Sequence, residues 1–185
     1  MKKTQLKIGI LDVQGSVEEH AASVRRMGLL PIFVKTVTDL EGLDGLIIPG
    51  GESTTIGMLC EMYGLKEAII KAVRCGIAVY GTCAGAILLT KWGLLDIEVA
   101  RNAYGRQTES FDTEIEVPEL GKKFVPAVFI RAPRFIRVGK GVKVLAEYKG
   151  EPVLVQQGNI LASSFHPEMT GDLRIHKYFA ENIIH

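Results

Sequence analysis

The feature that most constrains this chain is an alternation, over its first 91 residues, of short β-branched runs with stretches of helical spacing. Leu6–Leu11 predicts a buried strand. Ser16, with Glu19 three residues on, has the S-x-x-E form of a capping box, and Gly28 marks an end, so a helix is predicted over Ser16–Met27. Pro31–Lys35, Gly45–Ile48 and Ile77–Tyr80 read as strands, and Thr54–Tyr63, Lys66–Arg74 and Ala84–Lys91 as helices. Strands separated by helices are the signature of βαβ units, because a parallel neighbour is reached only by a crossover long enough to hold a helix. After Trp92 the pattern changes. Leu95–Val99, Thr113–Val117, Ala127–Arg131, Val142–Tyr148, Pro152–Val155 and Ile160–Phe165 read as strands divided by Gly, Pro and charged turns, which predicts antiparallel or mixed pairing. Asp172–Ile183 reads as a closing helix with Leu173, His176, Ala180 and Ile183 along one stripe. No repeat or linker interrupts the chain. The expectation is one α/β domain over 1–185, a three-layer sandwich with a central, mostly parallel sheet and an antiparallel portion in the second half.

Cys83 lies where a predicted strand meets a predicted helix, between Gly81 and Gly85. This is the cysteine form of the G-x-S-x-G nucleophile elbow: a sharp, strained turn carries the nucleophile, and the flanking glycines let strand and helix approach. The helix N-terminus beside it offers free N–H groups and a positive dipole end, which favour a thiolate. A buried, inert cysteine on a glycine turn is the competing reading, and it is the preferred one for Cys60 and Cys75. A nucleophilic cysteine needs a base, and the base needs an orienter. His166-Pro167-Glu168 supplies both, and in an extended chain i and i+2 face one side, so Glu168 is placed to hold the His166 imidazole in one tautomer. His20, within the first predicted helix, and His176, within the last, are assigned packing or surface roles, and His185 is the C-terminal residue. Pro49-Gly50-Gly51-Glu52-Ser53 follows the third strand and is a candidate backbone donor to an oxyanion, or an ordinary loop with Ser53 or Thr54 as helix cap.

Composition excludes other classes. Hydrophobic residues are 47% and charged residues 23%, as in an average soluble domain. With 22 basic and 21 acidic side chains the net charge is +1, so nothing points to nucleic acid or to an anionic membrane. The longest uncharged run, Cys75–Thr90, is shorter than the roughly 20 residues of a spanning helix. No secretory leader is legible, which predicts a cytoplasmic chain. Three cysteines and four histidines at no ligand-like spacing predict neither a disulfide framework nor a metal site. Without a Walker A or full G-x-G-x-x-G motif, no nucleotide cofactor is expected. Glycine, 20 of 185 residues, is the one unusual count.

PGGEST, GTCAG and FHPE, in that order, resemble the class I (triad) glutamine amidotransferases, a flavodoxin-like α/β family. The wider set (the opening ILDVQGSVEEH, then PGGESTT, GTCAGAILL, RNAYGRQ, ESF, FIRAPR and FHPE) is similar to the glutaminase subunits of pyridoxal 5′-phosphate synthase and runs from Gly9 to His176. That resemblance implies hydrolysis of L-glutamine to glutamate and ammonia, with no cofactor, and delivery of the ammonia to a (β/α)8 synthase partner. It implies that Cys83 is the nucleophile, His166 the general base and acid, and Glu168 the orienting carboxylate. It assigns Gly51, Glu52, Ser53, Arg101, Ile130 and Arg131 to glutamine binding, and Gly51 and Ala84 to the oxyanion. The Gln14-Gly15 loop falls near the oxyanion site and the partner contact. Three positions depart from the family: Asp12 in place of Gly or Ala, Ala100 in place of an acidic or polar residue, and a shortened connection at Lys91-Trp92. The alternatives are the glutaminase of another class I enzyme, such as imidazole glycerol phosphate synthase, or a non-enzymatic module on the same fold.

Overall fold

A computed structural model describes residues 6–100, 110–121 and 123–184. The alternation of the first half becomes β1 (Ile8–Leu11), α1 (Val17–Arg26), β2 (Pro31–Val34), β3 (Gly45–Ile48), α2 (Ser53–Met62), α3 (Leu65–Arg74), β4 (Ala78–Thr82) and α4 (Ala84–Lys91). A single 3₁₀ turn, Val37–Leu40, interrupts the path from β2 to β3. The second half gives β5 (Ile97–Ala100), β6 (Ser110–Ile115), β7 (Val125–Ile130), β8 (Arg134–Val138), β9 (Lys143–Tyr148), β10 (Glu151–Gln157) and β11 (Ile160–Ser163). The chain ends in a short α5 (Arg174–Tyr178) that widens into a π-helical turn, Phe179–Ile183.

Seven strands form the central sheet in the order β2-β1-β3-β4-β11-β10-β9. The pairs from β2 to β11 are parallel, and β10 and β9 add an antiparallel edge. The fold is therefore α/β with a mainly parallel sheet. β8 is not expected from the sequence: Arg134 and Arg137 break its apolar run, and it forms only because β5 lies beside it. The later strands also do not share one sheet. β5–β8 and β6–β7 are separate antiparallel ribbons, since strand pattern fixes a face but not a partner.

The parallel strands are apolar almost throughout, with Thr82 and Ser163 at the carboxyl ends of β4 and β11 the polar exceptions, because both faces are covered. Ile8, Ile10, Ile47, Tyr80 and Leu161 point to one side, against Val17, Ala21 and Val24 of α1 and Phe179 and Ile183 at the C-terminus. The β6–β7 ribbon joins this side through Phe111 and Phe129, whose rings stack at 4.8 Å. Leu46, Ile48, Val79 and Ala162 point to the other side, against Ile56 and Cys60 of α2, Ile69 of α3 and Leu88 and Leu89 of α4.

α4 sits close enough to β3 that position 85 admits only glycine: a Cβ there would lie 2.1 Å from the carbonyl oxygen of Ile48. Gly85→Ala should therefore destabilise the chain by about 2–3 kcal/mol, at the upper end of overpacking costs, because a backbone atom cannot yield. A methyl group at Gly141 would meet nothing within 4 Å, and Gly141→Ala should stay within about 0.5 kcal/mol. Urea midpoints of the two variants check the contrast.

Candidate active site

The parallel strand order 2-1-3-4 makes the gap between the ends of β1 and β3 a topological switch point, where open α/β sheets hold ligands. The segments leaving the carboxyl ends of β1, β3, β4 and β11 meet there. Gln14, Gly15 and Ser16 come from the first, Gly50 to Ser53 from the second, Cys83 from the third and His166 from the fourth, and they line one cleft of about 460 Å³. Ala84, Ile130 and Arg131 line it too. Of the residues assigned to the site from sequence, Arg101 lies outside the described residues, and Glu168 lies behind the cleft wall with 6% exposure.

Cys83 occupies φ 48°, ψ −102°, a region that costs a non-glycine residue of the order of 1–3 kcal/mol. Three non-glycine residues among those described have positive φ, and two of them, Cys83 and Arg131, line the cleft. The turn is held because the Cys83 N–H donates to the Ser163 carbonyl at 2.8 Å, tying it to the end of β11. Past β11, the His166 N–H donates to the Val128 carbonyl of β7 at 2.8 Å. Pro167–Met169 is a 3₁₀ turn, so Glu168 does not reach His166 along an extended chain as the sequence suggests; the turn folds it underneath. The result is a 2.7 Å hydrogen bond between His166 Nδ1 and Glu168 Oε1, with both groups buried.

The Cys83 side chain lines the same cleft as this imidazole. Burial by itself would lower the His166 pKa, but the nearby Cys83 side chain and the hydrogen bond and charge of Glu168 prevail and hold it up at about 10. Burial would raise the Glu168 carboxyl. The histidines around it and the hydrogen bonds from His166 and Ser16 prevail and hold it down at about 2. Cys60, buried and away from the cleft, has its thiol pushed up to about 12 by burial, as an inert core cysteine should. Cys75 is exposed at the end of α3.

Three features of the site escape the sequence reading. The capping box is not formed: Ser16 makes no side-chain cap bond, and its hydroxyl donates to Glu168 Oε1 at 2.7 Å. The motif is the same; only the fold supplies the competing acceptor. His20 and His176, assigned packing or surface roles, are fully buried against each other, with His20 Nδ1 3.0 Å from His176 Nε2. His20 Nε2 lies 3.5 Å from Glu168 Oε1. Glu19, Ile87, Pro133 and Met169 complete the cleft lining. No spacing signal marks these residues, since each is brought in by a different element.

The Gly50–Gly51 loop rides directly over the imidazole. A Cβ on Gly50 would stand 2.3 Å from His166 Cε1. The Gly50 N–H donates to Thr82 Oγ1 at 2.9 Å, and its carbonyl accepts the Ser16 N–H at 3.0 Å. The Glu52 N–H donates to Gln14 Oε1 at 2.9 Å. Ser53 does not cap α2 but is its first residue, with Glu52 preceding it. Of the departures, Asp12 pairs with Lys35 at 3.2 Å, Trp92 is buried just past α4, and Ala100 ends β5; none lines the cleft.

A family model for the SNO glutamine amidotransferases matches residues 10–185. The chain belongs to the SNO glutamine amidotransferase family. It is 48% identical to the pyridoxal 5′-phosphate synthase subunit PdxT of Thermotoga maritima, covering 96% of this chain and 100% of that one. It is 51% identical to the protein of the same name from Thermus thermophilus, covering 94% and 96%. A solved structure described as a glutamine amidotransferase superimposes with a TM-score of 0.90 at 49% identity, covering 94% of this chain and 97% of that one. In this member of the family, no group of His, Cys, Asp and Glu among the described residues is placed to hold a metal, and no described helix is long and apolar enough to cross a membrane.

The buried histidines set a stability profile. His176 is lowered by burial to about 3, and burial lowers His20 as well. Both are neutral in the fold and protonate when it unfolds, so their contribution is present above pH 6.5 and is lost as pH falls below it. His166 has the opposite sign: its contribution is present below pH 6.5 and is lost as pH rises toward about 10. Stability should peak near pH 6.5, with slopes approaching about 1.4 kcal/mol per pH unit for each histidine. Denaturation midpoints from pH 5 to 9 check this, and a profile rising steadily across that range would contradict it.

Proposed function

We propose that the chain hydrolyses L-glutamine to L-glutamate and ammonia and supplies the ammonia to a pyridoxal 5′-phosphate synthase. The observation that carries the chemistry is the alignment of a strained Cys83, His166 and a buried Glu168 at one cleft. The relatives of about half-identical sequence, named as pyridoxal 5′-phosphate synthase subunits, support the pathway.

In this reading Cys83 Sγ attacks the side-chain amide carbon of glutamine. With Nδ1–H donated to Glu168, His166 holds the proton taken from the thiol on its other nitrogen, a protonated state that its pKa of about 10 favours. The tetrahedral oxyanion is received by the backbone N–H of Gly51 and of Ala84, the latter in the first turn of α4, where N–H groups have no intrahelical acceptor. His166 protonates the leaving nitrogen, the C–N bond breaks, and ammonia departs from a thioester on Cys83. His166 then takes a proton from water, whose oxygen attacks the thioester, and glutamate leaves as the thiol re-forms. A free amino acid needs an anion for its ammonium and a cation for its carboxylate. Glu52 and Arg131 supply such a pair on the cleft wall, joined by Ser53 and Ile130, with Arg101 also assigned to this role.

The partner in this reading is a (β/α)8 synthase subunit, met in the cytoplasm. The Gly50–Gly51 peptide has its carbonyl on Ser16, and because a trans peptide points C=O and N–H in opposite directions, turning the Gly51 N–H toward the oxyanion breaks that bond. Docking is the step that compensates it.

Cys83→Ala should lower glutamine turnover by a factor of about 10³ or more while the far-UV spectrum is kept. Turnover near wild type would remove Cys83 from the nucleophile's role. Turnover should also rise at least about tenfold when the synthase subunit is added, the scale of one recovered oxyanion donor or less; equal rates with and without it would refute the docking switch.

A further inference from the structure

Behind the proposed triad a closed ring of polar groups links Glu168, Ser16 and Gly50 through Thr82 and His20, two residues that the mechanism above does not use. Glu168 Oε1 accepts from Ser16 Oγ at 2.7 Å, and the Ser16 N–H donates to the Gly50 carbonyl at 3.0 Å. The Gly50 N–H donates to Thr82 Oγ1 at 2.9 Å, Thr82 Oγ1 lies 3.2 Å from His20 Nε2, and His20 Nε2 faces Glu168 Oε1 at 3.5 Å. One polar end of Gly50 is thus held by Ser16, which touches the carboxylate, and the other by Thr82, which is linked to it through His20. Thr82 and His20 are completely buried, so these interactions are not diluted by solvent.

The ring fixes a tautomer. Among the described residues His176 Nδ1 is buried with no hydrogen-bond partner. A proton there would be an unsatisfied donor, so it resides on His176 Nε2 and is donated to His20 Nδ1. His20 then carries its own proton on Nε2, toward Thr82 and the carboxylate. The opposite assignment would set a bare nitrogen lone pair against Glu168 and bury an unpaired N–H on His176. Other charged or titratable groups around His20 are His166, Glu19 and the Tyr80 ring, whose centroid is 6.4 Å away. Burial lowers the proton affinity of both His20 and His176, in keeping with neutral rings.

We propose that His20 is a positioning residue whose neutral Nε2–H, set by His176, braces Glu168 and Thr82 together, so that the His166 imidazole and the Gly50–Gly51 loop are held as one unit. A protonated His20 would instead set an N–H on Nδ1 against the His176 Nε2–H and break that contact. This rests on the glutaminase reading for its kinetic consequence but not for its structural one.

Two measurements on the full chain test it. Long-range ¹⁵N NMR should find both His20 and His176 as Nε2–H tautomers, without titration between pH 5.5 and 8.5. An Nδ1–H form of either ring, or an ordinary titration near pH 6.5, would overturn the proposal even if every variant failed to fold. In glutamine hydrolysis with the synthase subunit present, His20→Leu should lower kcat about tenfold with KM within about twofold, as expected for one member of a coupled network. His20→Gln, which keeps an N–H near the Nε2 position, should recover most of kcat. An unchanged kcat in His20→Leu with only a lower denaturation midpoint would make His20 a packing residue. Wild-type protein inactive even with the synthase would defeat the glutaminase reading instead, and the NMR result would still stand or fall by itself.

Discussion

Glu168 is a carboxylate taken almost entirely out of water, and taking an isolated charge out of water costs several kcal/mol unless partners replace the solvent. One oxygen, Oε1, takes the replacements. Ser16 reaches it from the end of the β1 loop, His166 from the segment after β11, and His20 from the body of α1. Ser16 and His20 lie about 150 residues before Glu168 and His166 in sequence, so the carboxylate is tolerated only where β1, α1 and β11 are correctly assembled. Removing one donor leaves the others holding a less compensated charge, which couples the three positions energetically.

The same requirement shapes the rest of the cleft. Ser16 and Thr82, whose side chains look toward Glu168 and His20, grip Gly50 from its two ends. Gly50 in turn lies so close over His166 that no side chain fits between them. The strained turn at Cys83 is anchored through Ser163 to the end of β11, the strand from which the carboxylate's own segment departs. Nucleophile, imidazole, carboxylate and loop therefore share supports, and the strain at Cys83 is balanced by a sheet buried on both faces.

Much of this is legible in the residues alone. The βαβ alternation identifies the parallel half, because strands buried on both faces must be apolar throughout and must be joined by amphipathic helices. Gly81, Cys83 and Gly85 mark the strand–helix elbow, because close approach there excludes a Cβ. Sequence reasoning fails where an outcome depends on a partner far along the chain. Ser16 and Glu19 have the form of a cap, yet the Ser16 hydroxyl finds a better acceptor in Glu168. Arg134 to Val138 carries two arginines and becomes a strand only because β5 is alongside.

Sequence by itself determined the fold class, the elbow and the residue types that converge on a cysteine nucleophile's chemistry, since period, glycine placement and functional-group inventory are local properties of a chain. Tertiary structure decided which later strands enter the main sheet, how a 3₁₀ turn rather than an extended strand brings Glu168 beneath His166, and that His20 and His176 are a buried pair instead of two separate helix residues. Those outcomes depend on which surfaces lose their water together, and that is set by contacts between segments that share no sequence proximity.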